Sequence, residues 1–158
     1  MSGLKVILVG AGIGGLAAAN ALLRGGHTPI VLEQATALGE VGAGVQLGPN
    51  ATRVLQAMDL LEPLMTRAVT PEAAMIFSYK SGEALRKVAF ADALKSTFGF
   101  PYLHMYRPDL LDGLAHGYEG DLHLGAKTIG IVEEPGRVGA RLENGETVWG
   151  DVLVGCDG

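Results

Sequence analysis

Three glycines and one carboxylate carry the strongest chemical signal in this chain. Gly10, Gly12 and Gly15 stand in the spacing G-x-G-x-x-G, directly after an apolar run from Leu4 to Val9 and directly before an Ala- and Leu-rich run that ends at Arg24. In that context each glycine has a task. Gly10 permits a tight turn, Gly12 lets backbone approach a pyrophosphate, and Gly15 lets a helix pack close to a strand. The helix that opens there, with Ile13 and Gly14 in its first turn, offers unpaired amides and the positive end of its dipole to an anion. Glu33 closes the next apolar run, about 20 residues on, where an acidic side chain can accept hydrogen bonds from a ribose diol and repel a 2′-phosphate. The chemistry is therefore the grip of a dinucleotide of the FAD or NAD type rather than NADP.

The elements that must position these groups read in order. Leu4 to Val9 is continuous and β-branched, as in a strand buried on both faces. Gly14 to Arg24 is a helix, with Ala19 keeping its inner face small and Gly25-Gly26 as the stop. Pro29 to Glu33 is a second strand. This makes a βαβ unit of the expected size. A Gly-rich connection over 35–50 follows, then a helix capped by Asn50 and running to about Met58, and a short helix to Met65. Met75 to Tyr79 and Leu85 to Phe90 flank Lys-Ser-Gly-Glu as a hairpin. Tyr102 to Tyr106 extends as a strand, and Arg107-Pro108-Asp109 opens a helix to about His116. Leu122 to Glu133, Arg137 to Glu143 and Glu146 to Trp149 are strands joined at Pro135-Gly136 and Asn144-Gly145. Asp151 to Gly155 is a last apolar run before Cys156-Asp157-Gly158. With so few parallel strands and no closing helix, the sheet reads as incomplete.

Composition narrows the classes. The 158 residues are 48% hydrophobic and 18% charged, enough for a core and too apolar for a disordered chain. Twelve basic against seventeen acidic residues give a net charge of −5 with no basic stripe, which argues against nucleic acid. A single cysteine, Cys156, fits a reducing cytoplasm and reads as an inert buried thiol. No apolar stretch approaches a membrane span and no signal-peptide pattern opens the chain, so no membrane partner is expected. His27, His104, His116 and His123 lack metal-ligand spacing, so no metal is expected. Tyr79, Tyr102, Tyr106 and Trp149 read as core or sheet residues rather than a ligand cage.

Four segments resemble the FAD-dependent aromatic hydroxylases, the class A flavoprotein monooxygenases that include salicylate hydroxylase and 3-hydroxybenzoate 6-hydroxylase. VILVGAGIGGLAAANALLRGGHTPIVLEQA is similar to their FAD fingerprint. EVGAGVQLGPNATRVLQAMDLLE is similar to the loop and helix beside the flavin. FGFPYLHMYRPDLLDGL is similar to the segment with an FAD-contacting arginine, and GDVLVGCDG to an Asp-Gly motif serving FAD and the nicotinamide donor.

The resemblance implies an α/β fold, a Rossmann-like FAD-binding βαβ unit with an inserted β-meander, incomplete relative to the family. Residues 1–158 would be the N-terminal portion of the FAD-binding domain, without the C-terminal substrate region. Gly10, Gly12, Ile13, Gly14 and Gly15 would surround the pyrophosphate. Glu33 would hold the adenosine ribose, with Gln34 beside it. Gly44, Val45 and Gln46 would approach the flavin, Arg107 would contact FAD, and Asp157 would help place pyrophosphate and donor. A cation at a helix start such as Arg107 favours an anionic partner. The implied activity is NADH- or NADPH-driven hydroxylation, with O2, of a small aromatic acid such as salicylate or a hydroxybenzoate. Related 6-hydroxynicotinate hydroxylases carry His where this chain has Gln46, which cannot titrate; that favours benzoate-type substrates. Two alternatives stand beside this reading: a truncated, non-catalytic flavin-binding module, and an NAD-dependent dehydrogenase, which would show a helical crossover in place of the hairpin at 75–90.

Overall fold

The structure is a computed structural model that describes residues 3–39 and 42–158. It divides into two compact units, one formed by Met1–Glu40 with Leu111–Gly158 and the other by Val41–Leu110.

The first unit is built on a four-stranded parallel sheet. Its members are β1 (Lys5–Val9), β2 (Thr28–Glu33), β7 (Asp121–Leu124) and β11 (Val152–Gly155), in the order β11-β1-β2-β7. Helix α1 (Ile13–Arg24) joins β1 to β2 and packs on both, completing the βαβ unit. An antiparallel meander of β8 (Thr128–Glu134), β9 (Arg137–Leu142) and β10 (Thr147–Gly150) is inserted between β7 and β11. Its turns use Gly136 and Gly145 at φ 81° and 90°, a region glycine enters without steric cost.

The period of two along the strands explains how both sheet faces are covered. Ile7, Ile30 and Leu32 form one cluster with Ala140 and Leu142 of the meander, flanked by Val9, Val148 and Leu153. The alternate residues Val6, Leu8 and Val31 are buried as well. Inside α1, Leu16 and Ala19 are fully buried. The buried Asn20 donates to the carbonyls of Leu16 and Leu114 at 2.8 and 2.9 Å, so its amide protons are satisfied where the helix ladder cannot use them.

The run read as one strand from Leu122 to Glu133 is two. Gly125, at φ 71°, breaks it, and β7 joins the parallel sheet while β8 starts the meander. Just before β7, the buried Tyr118 donates its hydroxyl to the carbonyl of Pro29 at 2.7 Å and ties the start of β2. Burial, reinforced by the negative charge of Asp121, pushes this phenol up from 10.0 to about 12. Because the folded value is raised, its stabilising contribution is complete below pH 10 and is lost as pH climbs from 10 through about 12. Thermal melts across that window are expected to show a fall in wild type that Tyr118→Phe lacks. At neutral pH the variant should cost about 1 kcal/mol for the hydrogen bond.

In the second unit, β4 (Ala73–Phe77) and β5 (Ala84–Ala89) form the antiparallel hairpin, with Ser78 to Glu83 between them. A helical crossover is therefore absent at the position where a dehydrogenase would need one. Tyr79 lies in the turn and is 91% exposed, so it is neither a core nor a sheet residue. Helix α2 (Pro49–Ala57) starts from Gly48, with Pro49 at its first position, so Asn50 lies inside the helix and does not cap it. The short α3 (Leu61–Met65) follows. Helix α4 (Ala91–Phe98) was not anticipated; it ends on Gly99 at φ 78°, a left-handed C-terminal stop. The Gly-rich connection contains a strand, β3 (Gly44–Leu47), paired antiparallel with β6 (Leu103–Tyr106). Its first family-like residues, Glu40 and Val41, lie outside the described residues. Helix α5 (Arg107–His116) runs as expected.

Candidate functional site

Helix α1 begins on Gly12, which has no side chain with which to cap it, and its first turn carries no acidic residue. The first helical bond runs from Leu16 N–H to the Gly12 carbonyl at 3.0 Å, so the amides of Ile13, Gly14 and Gly15 have no acceptor within the helix. The glycines around them differ in what they meet. A methyl on Gly15 would overlap the Gly10 carbonyl oxygen, and one on Gly10 would stand 2.7 Å from the Cys156 carbonyl oxygen. Gly10 also has φ 108°. Gly12 and Gly14 are the opposite case: among the described residues nothing lies within 4 Å of where a Cβ would be. Two glycines thus permit close internal packing, and two leave open space above amides.

Glu33, at the tip of β2, turns toward this loop. Its carboxylate accepts from Ala11 N–H and from Ala35 N–H, each at 2.8 Å. Two oxygens offer about four acceptor positions, so about two remain for other donors. The loop is pinned further by Gly10 N–H on the Leu32 carbonyl at 2.7 Å. The tail of β11 closes its other side: Cys156 N–H donates to the Val9 carbonyl at 2.7 Å, and the Asp157 nitrogen would stand 3.0 Å from a methyl on Gly10. The structure therefore brings Gly10, Gly12, Ile13, Gly14, Gly15, Glu33 and Asp157 together in one unit, with Asp157 and Gln34 exposed. Cys156 is half-buried just beyond β11, and burial followed by the charge of Asp157 raises its thiol, which keeps it protonated. Among the described residues no group of His, Cys, Asp and Glu could hold a metal, and no helix is long and apolar enough to cross a membrane.

The remaining site residues gather in the second unit. β3 and β6 pair with Gly44 opposite Tyr106 and Gln46 opposite His104, and Arg107 N–H donates to the Ala43 carbonyl at 3.0 Å. Two segments that sequence treats as unrelated, Gly44-Val45-Gln46 and Arg107, are thereby neighbours. Arg107 is exposed at the first position of α5, with Asp109 in the same first turn. Tyr102 was missed as a site residue. Its hydroxyl donates to Gln46 Oε1 at 2.7 Å, and only the cross-strand register reveals that pairing.

A family model described as FAD binding domain matches residues 3–158. The chain belongs to this FAD-binding family. Its relatives include 3-hydroxybenzoate 6-hydroxylase of Polaromonas naphthalenivorans (strain CJ2), 35% identical across 98% of this chain and 40% of that protein. Another is 6-hydroxynicotinate 3-monooxygenase of Pseudomonas fluorescens, 29% identical across 98% of this chain and 40% of that protein. Among solved structures, 2-methyl-3-hydroxypyridine-5-carboxylic acid oxygenase (mutant Y270A) matches with TM-score 0.82 and 27% identity, over 99% of this chain and 40% of that one. Klebsiella pneumoniae HpxO, solved with FAD and uric acid, shares the fold at TM-score 0.87 and 24% identity, over 100% of this chain and 40% of that one. This member of the FAD-binding family thus spans about 40% of the length of the relatives it matches. The α/β fold with its parallel sheet, expected from the fingerprint, is the fold of these flavoprotein monooxygenases.

Proposed function

We propose that residues 1–158 form the FAD-binding domain of an aromatic-acid monooxygenase, with the adenine dinucleotide end held in the first unit. The observation that carries this is the uncapped start of α1, open above Gly12 and Gly14, beside the carboxylate of Glu33. These residues fit the cofactor. The amides of Ile13, Gly14 and Gly15 would hold pyrophosphate oxygens, with a cradle that a Cβ would fill. Glu33 would accept the ribose hydroxyls with Gln34 beside it, and Asp157 would face the phosphates from the tail of β11. Gly44, Val45, Gln46 and Arg107 enter from the family resemblance.

When bound, FAD supplies the two-electron and O2 chemistry that no side chain here can perform. The protein's part is orientation and charge compensation. Helix-start amides neutralise the diphosphate without a lysine, so a chain of net charge −5 can bind a dianion. NADH or NADPH is the proposed donor and a hydroxybenzoate or salicylate the proposed substrate. The hydroxybenzoate relatives support that substrate class, as does a neutral amide at Gln46 where an acid or base is not available. A cytoplasmic location is proposed on the single cysteine.

Titrating FAD into the purified chain while following flavin fluorescence tests the binding claim. Saturable quenching that ADP competes away is the expected result; fluorescence that stays that of free FAD sinks the reading. A second reading is a flavin-binding module without turnover of its own. Consumption of NADH or NADPH by the 158-residue chain with FAD, stimulated by 3-hydroxybenzoate, would exclude it.

A further inference from the structure

Resting on the FAD-monooxygenase reading above, we infer that Tyr102 is a positioning residue that fixes Gln46 as a neutral double hydrogen-bond donor. The group it is set to receive is an acceptor oxygen on a conjugated ring. That chemistry has two sources: the carboxylate or phenolate of an aromatic acid, and a carbonyl of the flavin.

The argument starts from register. Gln46 on β3 and His104 on β6 are cross-strand partners, so their side chains share a face. Tyr102 precedes His104 by two residues and stands on the same side. The alternate residues Leu47, Leu103 and Met105 are buried, so the Gln46 face is the one turned from the core. On it, Tyr102 is held between two rings. Phe90 lies 4.8 Å from it between centroids, and His104 meets it edge-on at 5.4 Å and 60°. A ring fixed from two sides places its hydroxyl, which donates to Gln46 Oε1 at 2.7 Å.

A glutamine amide has one acceptor oxygen and one NH2 group. The Tyr102 bond takes one of the oxygen's two lone pairs and holds the amide in one orientation, and a pre-oriented NH2 donor loses less freedom when a ligand arrives. Gly44 lies two residues earlier on the same face, and among the described residues nothing stands within 4 Å of where its Cβ would be, which leaves open space beside Gln46. A donor that does not titrate suits an oxygen whose charge changes during reaction, since it cannot take the proton itself.

The test uses the 158-residue chain labelled with 15N. The Gln46 side-chain NH2 pair is assigned by its disappearance in Gln46→Glu, and the amides of Gly12, Gly14 and Gly15 report the dinucleotide end. FAD and 3-hydroxybenzoate are titrated separately and together. The Gln46 pair is expected to move saturably; movement with FAD alone identifies the flavin carbonyl, and movement with 3-hydroxybenzoate identifies the aromatic acid. Tyr102→Phe should weaken the affinity read at Gln46 on the order of 3- to 10-fold. Gln46→Glu keeps the acceptor for Tyr102 but removes the donors, and should abolish the affinity for 3-hydroxybenzoate or the flavin-linked gain. A Gln46 pair that moves with neither ligand overturns the inference, as does Tyr102→Phe binding like wild type. If the glycine amides respond to FAD in those cases, only the inference fails; if they too stay silent, the FAD reading fails with it.

Discussion

Gly15→Ala is expected to lower the melting temperature by roughly 6–12 °C, while Gly12→Ala leaves it within experimental scatter and instead weakens FAD binding. The two glycines sit in one turn and differ in their surroundings. A methyl on Gly15 meets the Gly10 carbonyl oxygen, which belongs to backbone pinned between β2 and the tail of β11. Neither neighbour can rotate away, so relief requires moving α1 off the sheet. Overpacking of that kind costs about 3 kcal/mol, at the upper end of the usual range, and each kcal/mol moves the midpoint of a domain this size by about 2–4 °C. At Gly12 the backbone is extended, with φ −69° and ψ 180°, and the methyl enters empty space. Stability is therefore spared. In the proposed FAD site that space is where a phosphate oxygen would approach the helix-start amides, and a displacement costing about 1–3 kcal/mol would weaken FAD on the order of 10- to 100-fold. Calorimetry and flavin fluorescence on the same samples separate the two effects. Equal loss of stability in both variants would mean that the turn is uniformly packed and has no cradle.

Much of this contrast was legible in sequence because the relevant chemistry is local. The βαβ unit announces itself through β1, the glycine spacing, the helix formers of α1 and Glu33 at the end of β2. The meander was legible through Asn144-Gly145 and Pro135-Gly136, whose glycines do adopt positive φ. Legibility fails where long-range pairing decides. Gly44 to Leu47 has two weak strand formers in a Gly-rich stretch, and becomes β3 because β6, nearly 60 residues later, offers a partner. The closure of the glycine turn by Cys156 and Asp157 depends on β11 pairing with β1, which no spacing encodes. The Tyr102–Gln46 bond is hidden for the same reason. Helix α4 is a different miss: Asp92 in its first turn and Gly99 at its end are ordinary helix signals that an aromatic-rich neighbourhood obscured.

The second large effect belongs to Glu33. In the proposed site it would have two duties at once, and ligand choice can separate them. Its carboxylate already accepts Ala11 N–H and Ala35 N–H, so Glu33→Ala leaves two loop amides without their acceptor and should cost about 1–3 kcal/mol of stability. The proposed ribose contacts add a loss of affinity. Each hydrogen bond to a charged acceptor contributes about 1.5–3 kcal/mol, so losing a diol pair weakens FAD on the order of 100-fold or more. A loosened turn could by itself weaken FAD, and a comparison of ADP with 2′-deoxy-ADP removes that ambiguity. Both probes feel the turn equally, and only ADP carries the 2′-hydroxyl. Wild type is expected to prefer ADP by about 10-fold or more, and Glu33→Ala to bind the two alike, because the preference is a coupling between one carboxylate and one hydroxyl. Glu33→Gln should fall between. Its amide nitrogen must face either Ala11 N–H or Ala35 N–H, donor against donor, so it loses stability although its oxygen can still accept from the sugar. A Glu33→Ala variant that keeps the full preference for ADP would move the ribose contact elsewhere and leave Glu33 as a clasp for the glycine turn alone.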